Sequence, residues 1–228
     1  MKKSAKISGS NILLMSLCLA LCCLLAACSG TGGVDMNAIE LQDYQSENGY
    51  EMQFPADWQM TSEDEESTTF VSADGKLSCT VTLEMGGIEV YSLEETGDML
   101  QDRLGEQIFS SYEKGAPELN DKTYHAVLKG ETAEGLNLTA DVNIYHIAEG
   151  IRYYMVFLGN TADYAVDKSL ISGIMSRFKT TLEEDEMYQL MMERREKAAQ
   201  EAMEEWEKEQ QALEEEAQEN GEGAPECE

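Results

Sequence analysis

The residues able to do chemistry in this 228-residue chain are few and unevenly placed. Six cysteines and two histidines carry all of its thiol and imidazole groups. Cys18, Cys22 and Cys23 lie in an apolar run near the N-terminus, and Cys28 ends that run. Cys79 sits in a segment of alternating side chains, and Cys227 is the penultimate residue. No CxxC or Cys/His pair has zinc-site spacing, so no metal ligand set is expected. His125 and His146 each follow a tyrosine (Tyr124, Tyr145) in strand-like sequence. Adjacent strands can bring the two imidazoles together, but a metal there lacks a third ligand that the sequence names. The acidic run Glu63, Asp64, Glu65, Glu66 lacks the spaced oxygen ligands and central glycine of a calcium loop. No Gly-x-Ser-x-Gly, HExxH or phosphate loop occurs. Carboxylates are too abundant for any two to stand out as an acid–base pair. The expectation is a non-enzymatic chain with no catalytic residue, no cofactor and no metal.

One cysteine is different. Lys2, Lys3 and Lys6 precede an apolar stretch at residues 12–25, and Leu-Ala-Ala-Cys follows at residues 25–28. A bilayer span needs about 20 apolar residues, so this run is short for one and right for a signal segment. Ala26 and Ala27 alone would also permit ordinary secretory cleavage. The Leu-Ala-Ala-Cys spelling resembles the lipobox of bacterial lipoprotein signal peptides. That resemblance implies cleavage before Cys28 and a lipid on its thiol, holding the chain at the extracytoplasmic face of the bacterial cell membrane. Residues 1–27 are then a signal peptide. Residues 28–47, with Ser-Gly-Thr-Gly-Gly at 29–33, read as a flexible tether. Cys79 and Cys227 remain as thiols; Cys79 is expected to pack as a small hydrophobe, with a bridge between the two as the alternative.

The net charge of −29 excludes two partner classes. Residues 182–228 hold 18 acids against 4 bases, and residues 28–181 hold 27 against 9. Such a surface repels nucleic acid and anionic lipid head groups and attracts basic proteins or cations in a salt-dependent way.

The elements that must position these groups follow from periodicity. Residues 50–54 alternate, Pro55 interrupts them, and Trp58 and Met60 resume the pattern. Residues 68–71 are β-rich, and Ala-Asp-Gly-Lys at 73–76 supplies a turn. Leu77, Cys79, Val81, Leu83 and Met85 then alternate with Ser78, Thr80, Thr82 and Glu84, which predicts an antiparallel strand with one wet face. Ser92 and Glu95 have capping-box spacing ahead of a helix whose apolar face is Leu93, Leu100, Leu104 and Ile108. Strands are predicted over residues 123–129, 136–147 and 151–158, and a helix over 165–178 with Tyr164, Leu170, Ile171, Ile174 and Phe178 on its buried side. Met52, Trp58, Tyr153 and Tyr154 are expected in the core. This order argues an α+β domain, an antiparallel β-sheet with helices packed on it.

The opening Gly-Tyr-Glu-Met-Gln-Phe-Pro-Ala-Asp-Trp at residues 49–58 resembles the start of PsbP-like and Mog1-like domains. The close, Tyr153 to Phe157 followed by a helix ending at Ser176, Arg177 and Phe178, is similar to the end of that family. The resemblance spans about residues 48–179 of a domain drawn at 48–181. It implies an α/β/α sandwich, and members that bind protein partners rather than catalyse, many bacterial ones being lipoproteins. It transfers no catalytic residue.

Residues 182–218 lack glycine and proline and favour helix. Met187, Leu190, Met191, Ala198, Ala202, Trp206, Leu213 and Ala217 trace a thin apolar stripe, too interrupted to read as a regular coiled coil. Three readings stand open for this stretch: a solvated extension, a helix that docks a protein partner or itself, or disordered chain. Residues 219–228 are expected to be disordered. The functional expectation is a membrane-anchored extracytoplasmic lipoprotein acting as a protein-binding or assembly module. The alternative is a small-ligand or cation-binding lipoprotein accessory to transport or sensing. If Cys28 carries the lipid, Cys28→Ser leaves the protein soluble in the medium or periplasm when cells are fractionated; retention of that variant in the membrane contradicts the anchor.

Overall fold

The computed structural model describes residues 38–86 and 91–221. Cys28, the signal segment, the first part of the tether and Cys227 lie outside the described residues. The chain divides into two units, Met1–Glu183 and Glu184–Glu228.

The first unit is built on an antiparallel sheet whose central strand is buried on both faces. In chain order its elements are β1 (Leu41–Ser46), β2 (Tyr50–Pro55), β3 (Gln59–Glu63), β4 (Ser67–Val71), β5 (Leu77–Met85), α1 (Leu93–Ile108), β6 (Ser111–Lys114) and β7 (Glu118–Leu119). There follow β8 (Thr123–Glu131), β9 (Asn137–Ala148), β10 (Ile151–Asn160), α2 (Tyr164–Met175) and β11 (Lys179–Thr180). The large sheet has the order β3-β4-β5-β10-β9-β8-β6, with β7 also on β8; a small sheet has the order β1-β2-β11. All pairings are antiparallel.

One face of the large sheet packs on α1. Leu100 and Leu104 meet Tyr124, Ala126, Leu128, Leu138, Ala140, Val142, Ile144 and Val156 in a single cluster. The capping box forms: Glu95 N–H donates to Ser92 Oγ, and Ser92 N–H donates to the Glu95 carboxylate. On the other face lie the small sheet and α2. Phe54 stacks on Phe70 at 4.1 Å, Tyr50 meets Tyr153 edge-on at 5.6 Å, and Ile171 and Ile174 are buried. Helices therefore cover both faces of an antiparallel sheet, the α+β sandwich expected, with one helical layer shared with the small sheet. Met52, Trp58, Tyr153, Tyr154 and Cys79 are all buried.

Four expectations need correction. The tether does not extend to residue 47, because Leu41–Ser46 is β1, paired with β2 from Ser46↔Tyr50 to Leu41↔Pro55. Tyr44 holds it, its ring edge-on to Phe70 at 4.8 Å, and Gly49 closes the turn at φ 77°. Second, the hydroxyl face of β5 is not wet: Ser78 and Thr80 are fully buried. Their polarity is absorbed inside the sheet, since Thr69 and Thr80 hydroxyls lie 3.0 Å apart and Ser78 Oγ donates to the Leu158 carbonyl. Third, α2 ends at Met175, and Phe178 packs from the following segment against Tyr145 and Tyr153 at 4.8 and 5.2 Å. Fourth, the C-terminal helix runs past residue 218, into the stretch expected to be disordered.

That helix, α3 (Glu184–Gly221), is the second unit. Met192, Met203 and Trp206 are each at least half exposed, and Lys208 lies 3.9 Å from Glu204 one turn earlier. Among the described residues no helix is long and apolar enough to cross a membrane.

The glycines of α1 are set by the sheet beneath. A Cβ on Gly97 would sit 2.2 Å from the Tyr124 ring, which is itself buried and accepts at its hydroxyl from Gln101 Nε2 at 2.5 Å. Helix propensity alone favours alanine over glycine by about 1 kcal/mol. Here overpacking outweighs it, and Gly97→Ala is expected to destabilise the domain by about 1–3 kcal/mol in chemical denaturation. A stabilised variant would contradict this packing of α1 on β8.

Candidate functional site

Three polar arrangements in the first unit can carry chemistry, and two of them serve the fold. The first lies where the N-terminal end of α2 meets β8 and β9. Asp141 projects from β9 toward α2 and is buried. Its Oδ2 accepts from the Tyr164 hydroxyl at 2.6 Å, and its Oδ1 accepts from Asn143 Nδ2 at 2.7 Å and from His125 Nε2 at 3.1 Å. The other imidazole nitrogen, Nδ1, faces Glu118 at 3.9 Å. Register explains the meeting: Asn143 lies opposite His125 and Asp141 opposite Val127. The alternating pleat then puts His125, Asp141 and Asn143 on one face.

This is an oriented His–Asp pair, the supporting half of a nucleophilic triad, but the third member is the wrong kind. Tyr164 hydrogen-bonds the carboxylate rather than the imidazole, and burial together with Asp141 pushes its phenol well above the usual range. The chemistry available is a charge-assisted lock of α2 onto the sheet. The two histidines, which adjacent strands could have brought together, do not meet. His125 and His146 point to opposite faces, and His146 lies near Arg152, with burial and that cation holding its imidazole below the ordinary value.

The second arrangement is built on Arg152, a buried cation on β10. Its guanidinium donates to Thr96 Oγ1 and to the Tyr91 carbonyl, tying the start of α1 to the sheet. The neighbouring Tyr154 hydroxyl donates to Glu84.

The third is a cleft of about 650 Å³ between the Pro55–Trp58 turn, the β4–β5 turn and the first turn of α2. Pro55, Trp58, Leu77 and Leu170 give it an apolar wall; Glu40, Asp57, Asp74, Asp163 and Asp167 give it carboxylates; Lys76 contributes an ammonium 3.7 Å from Asp74. Burial first, then the nearby Asp163 and Asp74, push the Asp167 carboxyl up to about 6. The cleft can attract a cationic group, and no group of three or more His, Cys, Asp or Glu is spaced for a metal ion among the described residues. The acidic run at residues 63–66 is structural: Asp64 Oδ1 accepts from the amides of Glu66 and Ser67 and so closes the β3–β4 turn. Sequence reasoning named neither Asp141 nor Arg152. Their one signal is a charge inside an otherwise apolar run.

The lock has a pH signature. The Asp141 hydrogen bond, first among its causes, raises the His125 imidazole above 6.5; Glu118 adds to this, while burial and Lys168 oppose it. A raised folded-state pKa means that this stabilisation is complete below the unfolded value and is lost as pH rises through the folded one. His125→Gln is therefore expected to cost about 1 kcal/mol at pH about 5.5, with the gap to the parent narrowing toward pH about 8.5 in thermal melts. A gap that stays constant or widens would contradict the lock.

No protein-family model and no curated protein matches the chain. Solved structures do. A mutant of the protein Mog1 matches at a TM-score of 0.50 and 8% identity, over 65% of this chain and 100% of that one. Cyanobacterial PsbP from Synechocystis matches at 0.43 and 16%, over 68% of this chain and 98% of that one. LpqN of Mycobacterium tuberculosis, described as involved in cell envelope biogenesis, matches at 0.45 and 12%, over 64% and 93%. At these identities the likeness concerns architecture alone, and the Mog1 match carries it: the first unit has a Mog1-like fold.

Proposed function

We propose that this chain is a lipid-anchored extracytoplasmic module that binds a protein partner through α3 and performs no catalysis of its own. The observation that carries the reading is the exposure of Met192, Met203 and Trp206, at 50, 64 and 60%, on a strongly acidic helix. A solvated helix has no need of a methionine and tryptophan stripe, whereas aromatic and methionine side chains are enriched where proteins dock. The polar groups of the first unit support the same view, since His125, Asp141 and Arg152 are engaged in holding helices to the sheet. Cys28 supplies the membrane end, through the Leu-Ala-Ala-Cys spelling and the lysine-led apolar run before it.

A second reading has its own observation. The carboxylate-lined cleft at Trp58 and Asp167 suits a small cationic ligand, and a ligand bound there raises the melting temperature in proportion to its occupancy.

Crosslinking in living cells followed by mass spectrometry separates the two. A reproducible protein adduct that disappears on deleting residues 182–218 is expected. Adducts that survive the deletion, or none above background, contradict docking through α3.

A further inference from the structure

On the reading that α3 docks a protein, we infer that its partner is a cationic amphipathic helix lying along the Met192–Trp206 face. At about 100° per residue, Met192, Ala199, Met203 and Trp206 fall within one narrow sector, and the stretch from the first to the last is about 21 Å at 1.5 Å per residue. A shallow groove lined by Tyr188, Met192, Glu193 and Glu196 continues the stripe toward the N-terminal end. The anchors recur at i, i+7, i+11 and i+14, the spacing of a face against which a second helix can pack.

Charge selects the occupant. From Glu184 to Gly221 the helix carries 14 acidic against 4 basic residues, and from residue 198 onward 9 against 1. Glu196 and Glu207 border the stripe on one side and Glu209 on the other, where Arg195 is the basic residue near the Met192 end. A second copy of α3 laid parallel would put its acidic halves together. Laid antiparallel, it would still set a negative half against a helix half with no net positive charge, so self-association is opposed in both registers. Anionic lipid and nucleic acid are repelled for the same reason. A helix with an apolar seam and lysine or arginine on both flanks meets the methionine and tryptophan side chains with its seam and the glutamates with its flanks. Trp206, a large aromatic near the acidic half, is the side chain expected to carry most of the affinity.

The test uses the full-length protein in neutral phosphatidylcholine vesicles and synthetic helices about four heptads long. One peptide has leucine along one face and lysine on both flanks; a second has the same composition with its leucines scattered; a third replaces lysine by glutamate. Trp206 reports burial of the stripe, because Trp58 is buried and gives a constant background, and the anisotropy of a fluorescein label on each peptide reads affinity for the parent and the variant alike. The first peptide is expected to bind saturably, blue-shift the tryptophan emission and weaken with salt. The scattered peptide and the Met203→Ala/Trp206→Ala variant should each bind at least about tenfold more weakly, and the glutamate peptide should not bind. Both substitutions keep helix propensity, so circular dichroism verifies that α3 persists in the variant. Equal binding of the scattered peptide would reduce the effect to bulk charge and overturn the inference. So would full affinity in the double variant, or sedimentation showing a dimer that depends on Trp206. Failure of the lysine peptide alongside an in-cell adduct that still needs residues 182–218 would sink this inference and leave the docking reading standing.

Discussion

Burial of β10 on both faces is the constraint on which the rest of the structure depends. Nine of its ten residues, from Ile151 to Gly159, are buried, and it is hydrogen-bonded to β5 on one side and β9 on the other. A strand in that position must have two covers. One is α1, which settles on Val156 and the apolar rows of β8 and β9; the other is the small sheet with α2, which settles on Tyr153, Met155 and Phe157. With about 25 cal/mol gained per Å² of apolar surface removed from water, these two layers are the main source of the domain's stability.

The polar groups at those layers make sense in this light. A helix packed on a sheet can slide, since apolar contact is non-directional. Asp141, accepting from Tyr164, Asn143 and His125, fixes where α2 begins. Arg152, donating to Thr96 and to the Tyr91 carbonyl, fixes where α1 begins. Each buried charge is expensive unless its hydrogen bonds are made, so each acts as a register pin whose loss leaves an uncompensated group behind. In the function proposed, these pins hold the domain together, and the membrane and the partner are met by Cys28 and by the acidic helix α3.

How much of this is legible in the sequence depends on whether a residue's neighbours are local. The strand pattern from Leu77 to Met85, the apolar row Leu138, Ala140, Val142 and Ile144, and the Ser92–Glu95 box are all set by spacing along the chain, and all appear. β1 is illegible because Leu-Gln-Asp-Tyr-Gln-Ser has no apolar alternation; pairing with β2 and the distant Phe70, Glu63 and Thr68 make a strand residue of Tyr44. Ser78 and Thr80 read as a wet face because hydroxyls can be satisfied either by water or by a neighbouring strand, and spacing does not distinguish the two. Asp141 lies 16 residues from His125 and 23 from Tyr164, so its role exists only once β8, β9 and α2 are assembled.

The central claim is that contact with a partner occurs on α3 and leaves the cleft free. Hydrogen–deuterium exchange on the protein in its native membranes, compared with the purified chain, addresses it directly. Added order on α3 slows amide exchange there through the helix's opening equilibrium. The account predicts slowed exchange over residues 188–210 in the native membrane, with residues 55–58 and 72–77 around the cleft unchanged. Slowed exchange confined to the cleft segments, with α3 exchanging as fast as in isolation, would contradict it.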